Sequence, residues 1–377
     1  MKKRTARLAG VGATALLMTS LVACAGTTDD SGASQSGDDP IELRYSTSYG
    51  ATTFEEITTG WFLDEVESRT DGRVVFERFY DGSLIQTPDV PAAMADGRID
   101  VTTVVSVTYP TQFPLWNAAY VPLEGSNNVA HSKAQYELLT ESDLLAEEFA
   151  RNSMKPVAVQ SVPPIGVAGV EPIRGVADLE GQQVRALGLA GAMISELGGN
   201  PVSVTVEEAY DALERGTVSA FNGAGLPYLV LSGLGEVAPW WTDYRLGAIS
   251  AKAIVFSDDA WNELPSDVQD IINELGATDW FEYEQEQLRD TVISSCDTLI
   301  AQGGGVIAWD ESEQDKAHAL IGDSLWEIWR DQASQAGISA EDIEGFETAL
   351  REKSLAFAET TPFDDGVDEC VSRTEAQ

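Results

Sequence analysis

The chain has few of the side chains on which catalysis or metal binding usually depends. Its two histidines, His131 and His318, and its three cysteines show no Cys-x-x-Cys or His-x-x-x-His spacing that would hold a metal ion. Paired acids such as Glu207-Glu208 arise by chance in a chain with 62 acidic residues. There is no Gly-x-Ser-x-Gly turn, phosphate-binding loop or histidine-centred triad spacing. We therefore expect a protein that is not an enzyme and that needs neither metal nor cofactor.

Cysteine chemistry is expected at Cys24, where the leader ends. A basic segment (residues 1–7), a short apolar segment (8–17) and small residues before Cys24 are typical of a secretory signal. Leu21-Val-Ala-Cys resembles the bacterial lipobox, in which the cysteine is acylated and becomes the mature N-terminus. We expect residues 1–23 to be a signal peptide and Cys24 to anchor the protein by lipid at the outer face of the cell membrane. An ordinary signal that happens to contain a cysteine is the alternative.

Residues 24–40 should form the lipid anchor and a disordered tether. The segment after Cys24 has small and acidic residues and no large apolar side chain, so it cannot bury enough surface to offset its ordering entropy. The folded part is expected to begin at Ile41. No later stretch has the apolar length needed to cross a bilayer.

The charge of the chain excludes nucleic acid as a partner. There are 23 basic and 62 acidic residues, whereas phosphate binding requires clusters of lysine and arginine. Adaptation to a salty environment, where ions screen the self-repulsion, is one explanation. An acidic extracytoplasmic surface without special meaning is the other.

The remaining cysteines, Cys296 and Cys370, both lie in the C-terminal third of the chain. Export to an oxidising compartment favours a disulfide between them. Two free, buried thiols are the alternative.

Hydrophobic periodicity predicts an α/β fold. Strand, helix, strand, short helix and strand follow one another over residues 41–105, a rhythm typical of a parallel, helix-covered sheet. The pattern restarts over 155–256, and residues 258–288 are predicted to form one long helix that bridges two lobes. We expect a two-lobe binding-protein fold with hinge strands and a ligand cleft between the lobes. The first lobe would comprise 41–162 plus 251–290, and the second lobe 163–250 plus 291–377.

Four segments in colinear order then resemble the TRAP-type solute-binding proteins, the extracytoplasmic receptors of tripartite ATP-independent transporters. The resemblance extends over about residues 41–300. The matching segments are Phe79-Tyr-Asp-Gly-Ser-Leu with Ala92 to Asp100, Ala177 to Arg185 with Leu197-Gly-Gly-Asn-Pro, Glu208 to Val218, and Trp261 to Gln269.

The resemblance implies a receptor that closes around a small organic acid and delivers it to a membrane permease. That permease has a large and a small membrane subunit and is driven by an ion gradient. A receptor for an ATP-driven importer or for a sensor is the alternative, because the same cleft would serve either.

The resemblance also implies that Arg185 binds the substrate carboxylate. A planar guanidinium matches the two carboxylate oxygens and keeps its charge when desolvated. A structural salt bridge among the many acids is the alternative role for Arg185.

Other parts of the family pattern differ in this chain. The position of the second family arginine falls near Ile165, and that of the stacking aromatic falls on Val206. Asn222 is a candidate for the family's clamping asparagine, although it could be an ordinary turn residue. These differences favour a monocarboxylate with an apolar or aromatic body. Aromatic side chains that could line the cleft, or fill the core instead, are Phe221, Trp240, Trp241, Tyr49 and Tyr109.

Overall fold

The structure, a computed structural model, describes residues 39–249 and 252–376. The predicted signal peptide, Cys24 and most of the tether lie outside the described residues. Asp39–Gln377 form one compact unit. Within the described part, every helix is too short or too polar to cross a membrane.

The described residues form 11 strands and 14 α-helices. The strands are β1 (Ile41–Ser46), β2 (Val74–Phe79), β3 (Val101–Val105), β4 (Met154–Gln160), β5 (Ile165–Gly169), β6 (Gln183–Arg185), β7 (Asn200–Val202), β8 (Ala220–Gly225), β9 (Trp240–Asp243), β10 (Lys252–Ser257) and β11 (Gly305–Ala308). The α-helices are α1 (Phe54–Arg69), α2 (Val90–Ala95), α3 (Asn128–Glu141), α4 (Asp143–Ala150), α5 (Gly188–Glu196), α6 (Val206–Glu214), α7 (Leu226–Leu231), α8 (Asp258–Glu263), α9 (Ser266–Ala277), α10 (Asp279–Ala301), α11 (Glu311–Ile321), α12 (Ser324–Gln335), α13 (Ala340–Thr360) and α14 (Val367–Glu375).

The strands form two sheets. The first has the order β2-β1-β3-β10-β4, and the second has the order β11-β9-β5-β8-β6-β7. The predicted α/β fold is confirmed. The parallel arrangement predicted for the strands of residues 41–105 is confirmed, because β1 pairs in parallel with β2 and β3. The first sheet as a whole is mixed, since β10 runs antiparallel to β3 and β4. The chain leaves this sheet along β4 and returns to it along β10, so the two adjacent strands must run in opposite directions.

The prediction of a single helix over 258–288 is wrong, because the structure has three helices there. Pro265 follows α8 and precedes α9, and a proline cannot donate the backbone hydrogen bond that a continuous helix needs. Thr278 then leaves helical geometry, with φ −131° and ψ −79°, before α10 begins. The 23-residue α10 is the long helix of the fold, and it packs against α1 and α7.

Helix α10 connects the two sheets through its packing. Near its N-terminal end the ring of Tyr283 stacks on Trp61 of α1, with 4.2 Å between ring centroids. Farther along, Leu288 and Val292 belong to a buried cluster that includes Phe221 and Trp241 of the second sheet. The predicted lobe boundaries stay a prediction. Helix α13, which the prediction places in the second lobe, packs on α3 of the first, whereas α12 contacts α5 within the second lobe.

Candidate functional site

Arg185 lies at the C-terminal end of β6 and is 7% exposed. Its Nε donates a hydrogen bond to the carbonyl oxygen of Val204, at 2.9 Å. Its guanidinium carbon lies 4.5 Å from the centroid of the Phe221 ring. A cation stacked on an aromatic face and held through Nε has a defined orientation, which is what recognition of a planar anion requires.

Phe221 owes its position under Arg185 to the register of the second sheet. Arg185 is the partner of Phe221, and Phe221 and Trp241 are both partners of Ala168. The four residues therefore form one row across β6, β8, β5 and β9. The structure thus brings Arg185 and Phe221 into contact, while Trp241 lies two strands farther along the row and is fully buried.

Asn222 follows Phe221 on β8, so its side chain points to the opposite face of the sheet. Its Oδ1 accepts a hydrogen bond from the Tyr244 hydroxyl at 3.0 Å. Both residues are buried, and desolvation raises the pKa of Tyr244 well above its usual value. Tyr244 therefore stays a neutral donor, which fixes the orientation of the Asn222 amide.

The segment just after Arg185 meets the first sheet. Gly188 begins α5 with φ +54°, and a Cβ at this position would lie 3.3 Å from Cγ2 of Val107. Val107 lies in the short 3-10 helix (Ser106–Thr108) that follows β3 of the first sheet. The end of β6 that carries Arg185 is therefore close to the junction between the two sheets.

Tyr49 lies on the other side of this junction, in the loop between β1 and α1. Its half-buried ring faces the ammonium of Lys252, with Nζ 4.2 Å from the ring centroid. Desolvation raises the pKa of Tyr49 well above its usual value, and the neighbouring Glu55, Tyr120 and Tyr228 add to the shift. Because Tyr228 is on α7, a helix that packs on β5 and β8 of the second sheet, Tyr49 lies near the junction of the two sheets.

The other two predicted aromatic residues have different surroundings. Tyr109 packs in the core against Phe113, and its hydroxyl donates to the carbonyl oxygen of Thr87 at 2.6 Å. Trp240 is half-buried on β9, beside the edge strand β11, where its ring packs closely on Gly305. Within the described part of the chain, neither Tyr109 nor Trp240 forms a hydrogen bond or ring contact with Arg185.

Sequence reasoning missed Lys252, Tyr228 and Tyr244. One signal for Lys252 was available, since a lysine directly before Ala-Ile-Val-Phe stands in an otherwise apolar strand. Tyr228 and Tyr244 gave no comparable signal, because their partners are distant in sequence.

Cys296 and Cys370 lie on α10 and α14, and both are buried free thiols in this structure. The hydrogen bond between the two thiols lowers the pKa of Cys296 and raises that of Cys370. The two side chains are thus adjacent, and the disulfide stays a prediction.

Comparison with known proteins identifies the class to which this arrangement belongs. A family model described as bacterial extracellular solute-binding protein, family 7, matches residues 45–332. The monocarboxylate 2-oxoacid-binding periplasmic protein all3028 of Nostoc sp. is 28% identical over 282 residues, which cover 72% of this chain and 74% of that protein.

Solved structures show the same fold. A TRAP periplasmic solute-binding protein from Desulfovibrio salexigens in an open complex gives a TM-score of 0.72 at 24% identity, covering 84% of this chain and 97% of that one. A TRAP solute-binding protein from Rhodoferax ferrireducens with copurified benzoate gives a TM-score of 0.74 at 18% identity, covering 85% and 99%.

The chain therefore belongs to the family 7 bacterial extracellular solute-binding proteins. The resemblance to TRAP-type solute-binding proteins is confirmed, and so is the two-lobe binding-protein fold. The family and the fold are those of transport receptors, and the alternative of an ATP-driven importer or a sensor finds no support in these comparisons.

Proposed function

We propose that this protein binds a small organic acid where its two sheets meet and delivers it to the large and small membrane subunits of a TRAP permease. The observation that carries the proposal is the buried guanidinium of Arg185, held by Val204 and stacked on Phe221. A desolvated guanidinium in a fixed orientation suits a carboxylate, because its N–H groups match the two oxygens.

The identity of related proteins supports a carboxylate ligand. The Nostoc relative is named for monocarboxylate 2-oxoacids, and the Rhodoferax structure contains benzoate. In our proposal Arg185 binds the carboxylate, and the ring of Phe221 holds the guanidinium in place. Asn222 points to the other face of β8, where Tyr244 orients its amide, so the proposal gives it no contact with the acid bound by Arg185.

We also propose that lipid on Cys24 keeps the receptor at the outer face of the membrane. The support is the basic and apolar leader that ends in Leu21-Val-Ala-Cys. Concentrating the receptor near its permease would raise the rate at which the two meet. Mass spectrometry of membrane-extracted protein should find diacylglyceryl-modified Cys24 as the first residue, whereas an unmodified N-terminus elsewhere would refute the anchor.

The binding proposal is tested first by a thermal-shift screen of organic acids, since a ligand that binds only the folded state raises its stability. Calorimetric titration of the best acid then compares Arg185→Ala with wild type. Loss of a buried, charge-assisted contact should cost about 2–5 kcal/mol, or roughly 30-fold to several-thousand-fold in affinity. Arg185→Lys should bind nearly as poorly, because an ammonium cannot donate to both carboxylate oxygens in the planar arrangement of a guanidinium.

Two exposed arginines serve as controls. Arg215 pairs with Asp211 on the surface of α6, and Arg174 lies in an exposed loop. Alanine at either position should leave affinity nearly unchanged. If folded Arg185→Ala binds within about threefold of wild type, a loss far below that of a broken buried pair, the assignment of Arg185 is wrong.

A further inference from the structure

Lys252, the first residue of β10, is a buried cation with an unusual environment. It is 2% exposed, and its Nζ finds no hydrogen-bond acceptor among the residues that the structure describes. The contact it does make is with the Tyr49 ring, whose centroid lies 4.2 Å from Nζ. An ammonium has three donors, and leaving them all unused in the interior is costly.

Acidic groups lie near Lys252 but accept no hydrogen bond from it. Burial lowers the pKa of Lys252, and the nearby acids Glu55, Glu56 and Glu284 raise it by a smaller amount. Across the described part of the chain, no carboxylate oxygen accepts a hydrogen bond from Nζ.

The two buried carboxylates are engaged by other groups. Glu56 accepts hydrogen bonds from the Tyr45 hydroxyl at 2.6 Å and the Thr47 hydroxyl at 2.9 Å. Oε2 of Glu284 accepts one from the backbone N–H of Ser161 at 2.9 Å. Burial raises the pKa of Glu56 and raises that of Glu284 well above its usual range. Neither carboxyl group accepts a hydrogen bond from Nζ, so the lysine keeps its donors for another acceptor.

Lys252 also has a position suited to ligand binding. Its partner on β4 is Gln160, the last residue before the chain crosses to β5 of the second sheet. Tyr49, whose ring faces the ammonium, lies near Tyr228, which contributes to its raised pKa. Tyr228 is on α7, a helix that packs on β5 and β8 of the second sheet. The unused donors therefore lie near the junction of the two sheets, on a strand of the first sheet, whereas Arg185 is on a strand of the second.

We propose that Lys252 donates a hydrogen bond to a second oxygen of the bound acid. This inference rests on the proposed function, in which Arg185 binds the carboxylate. The ligand class is then narrower than a plain monocarboxylate: the acid carries a keto, hydroxyl or second carboxylate oxygen as well. Arg185 from the second sheet and Lys252 from the first hold the two ends of the polar part of the ligand. The apolar or aromatic monocarboxylate expected from the sequence would leave the lysine donors unused.

The test compares acids in pairs that differ by one oxygen-bearing group, such as propionate with lactate and pyruvate, butyrate with succinate, and benzoate with hydroxybenzoates. Calorimetric titration of wild type should show at least tenfold tighter binding of the best oxygenated acid than of its plain analogue. A wild-type protein that binds the plain analogue equally well overturns the proposal, with no variant needed.

Lys252→Met should weaken binding of the oxygenated acid at least tenfold and change binding of its plain analogue less than threefold, the range for a lost hydrogen bond to a charged group. Lys155→Met is the matched control, because Lys155 on β4 also faces an aromatic ring, that of Trp261, at 5.9 Å. It should leave both affinities unchanged. Lys252→Gln, which keeps two donors, should retain part of the discrimination.

The outcomes separate this inference from the proposed function. If Lys252→Met lowers stability but leaves the affinity ratio of the paired acids unchanged, Lys252 is only a structural charge and the inference fails while the receptor function stands. If Arg185→Ala binds normally and Lys252→Met loses the discrimination, the Lys252 inference stands and the role of Arg185 is wrong. If wild type binds no organic acid of the panel, both are refuted.

Discussion

The buried histidine His131 makes a sharp prediction about stability and pH. It lies on α3 and is fully buried. Its Nε2 is 3.1 Å from the carbonyl oxygen of Ala119, and its Nδ1 is 2.9 Å from the hydroxyl of Ser354 on α13. A carbonyl only accepts, so Nε2 carries the proton and Nδ1 accepts from Ser354. Protonation would put a donor on Nδ1 and a charge in the core.

Desolvation lowers the pKa of His131 to about 4 in the folded protein, from 6.5 in an unfolded chain. As the pH falls below about 6.5, the unfolded state takes up the proton first, so stability is lost. Between pH 7.5 and pH 5 this linkage amounts to about 2 kcal/mol. It continues to grow until the folded histidine itself titrates near pH 4.

Other buried groups act in the opposite direction, so wild type alone cannot isolate the effect. Desolvation raises the pKa of Glu148 to about 7 and that of Asp243 to about 6. Each of these contributes stability that is present at low pH and is lost as the pH rises through the folded pKa. The useful quantity is therefore the difference in unfolding free energy between wild type and His131→Gln, measured at each pH.

His131→Gln should be less stable than wild type at pH 7.5, because the bridge between α3 and α13 is weakened. The deficit should shrink by about 2 kcal/mol at pH 5, since only wild type has a histidine to titrate. Urea unfolding followed by tryptophan fluorescence from pH 7.5 to pH 5 measures both values. A deficit that stays constant to within about 0.5 kcal/mol over this range would refute the burial argument.

Further predictions concern the thiols, the packing of α9 and the response to salt. Cys296 and Cys370 should resist thiol labelling in denatured, unreduced protein, and reduction should lower stability by about 2–4 kcal/mol; quantitative labelling of both would contradict the disulfide. Gly276→Ala should destabilise by at least about 1–3 kcal/mol, because its Cβ would lie 2.0 Å from the carbonyl oxygen of Val157, whereas Gly345→Ala on the open face of α13 should stabilise by up to about 1 kcal/mol. Equal effects of the two substitutions on the urea midpoint would disprove the close approach. The protein has a net charge of −39 and should repel an organic anion at long range. Salt screens this repulsion more than it screens the buried contacts, so the affinity measured by calorimetry should rise from about 0.05 to about 0.5 M NaCl. A steep fall in affinity would mean that exposed cations hold the ligand.

Local patterns predicted the first part of the fold well. The alternation of Ile41-Glu-Leu-Arg-Tyr-Ser gave a strand that matches β1, and helical spacing of apolar residues gave α1. The prediction failed where local signals were weak. Strand β8, Ala-Phe-Asn-Gly-Ala-Gly, has two alanines and two glycines, so only its pairing with β5 and β6 makes it a strand.

The candidate site was predictable to the extent that it depended on one short segment. Arg185 was placed on a strand because Gln183-Val-Arg is a local pattern, and the structure has that strand. The stacking on Phe221 depends on the register between β6 and β8, and the hydrogen bond between Asn222 and Tyr244 joins two segments of the second sheet. Contacts of this kind are set by tertiary packing and have no local signature.

The distribution of positive charge adds to the argument for the site. Arg44, Arg78 and Arg330 are typical of most basic residues here, since each pairs with a carboxylate at or near the surface. Among the described residues, Arg185 and Lys252 are the only arginine and lysine that are buried. Burying a cation is costly, and a strongly acidic chain offers many surface partners instead. Both buried cations lie near the junction of the two sheets, one on each, where an anionic ligand that contacts both would favour the closed arrangement over the open one.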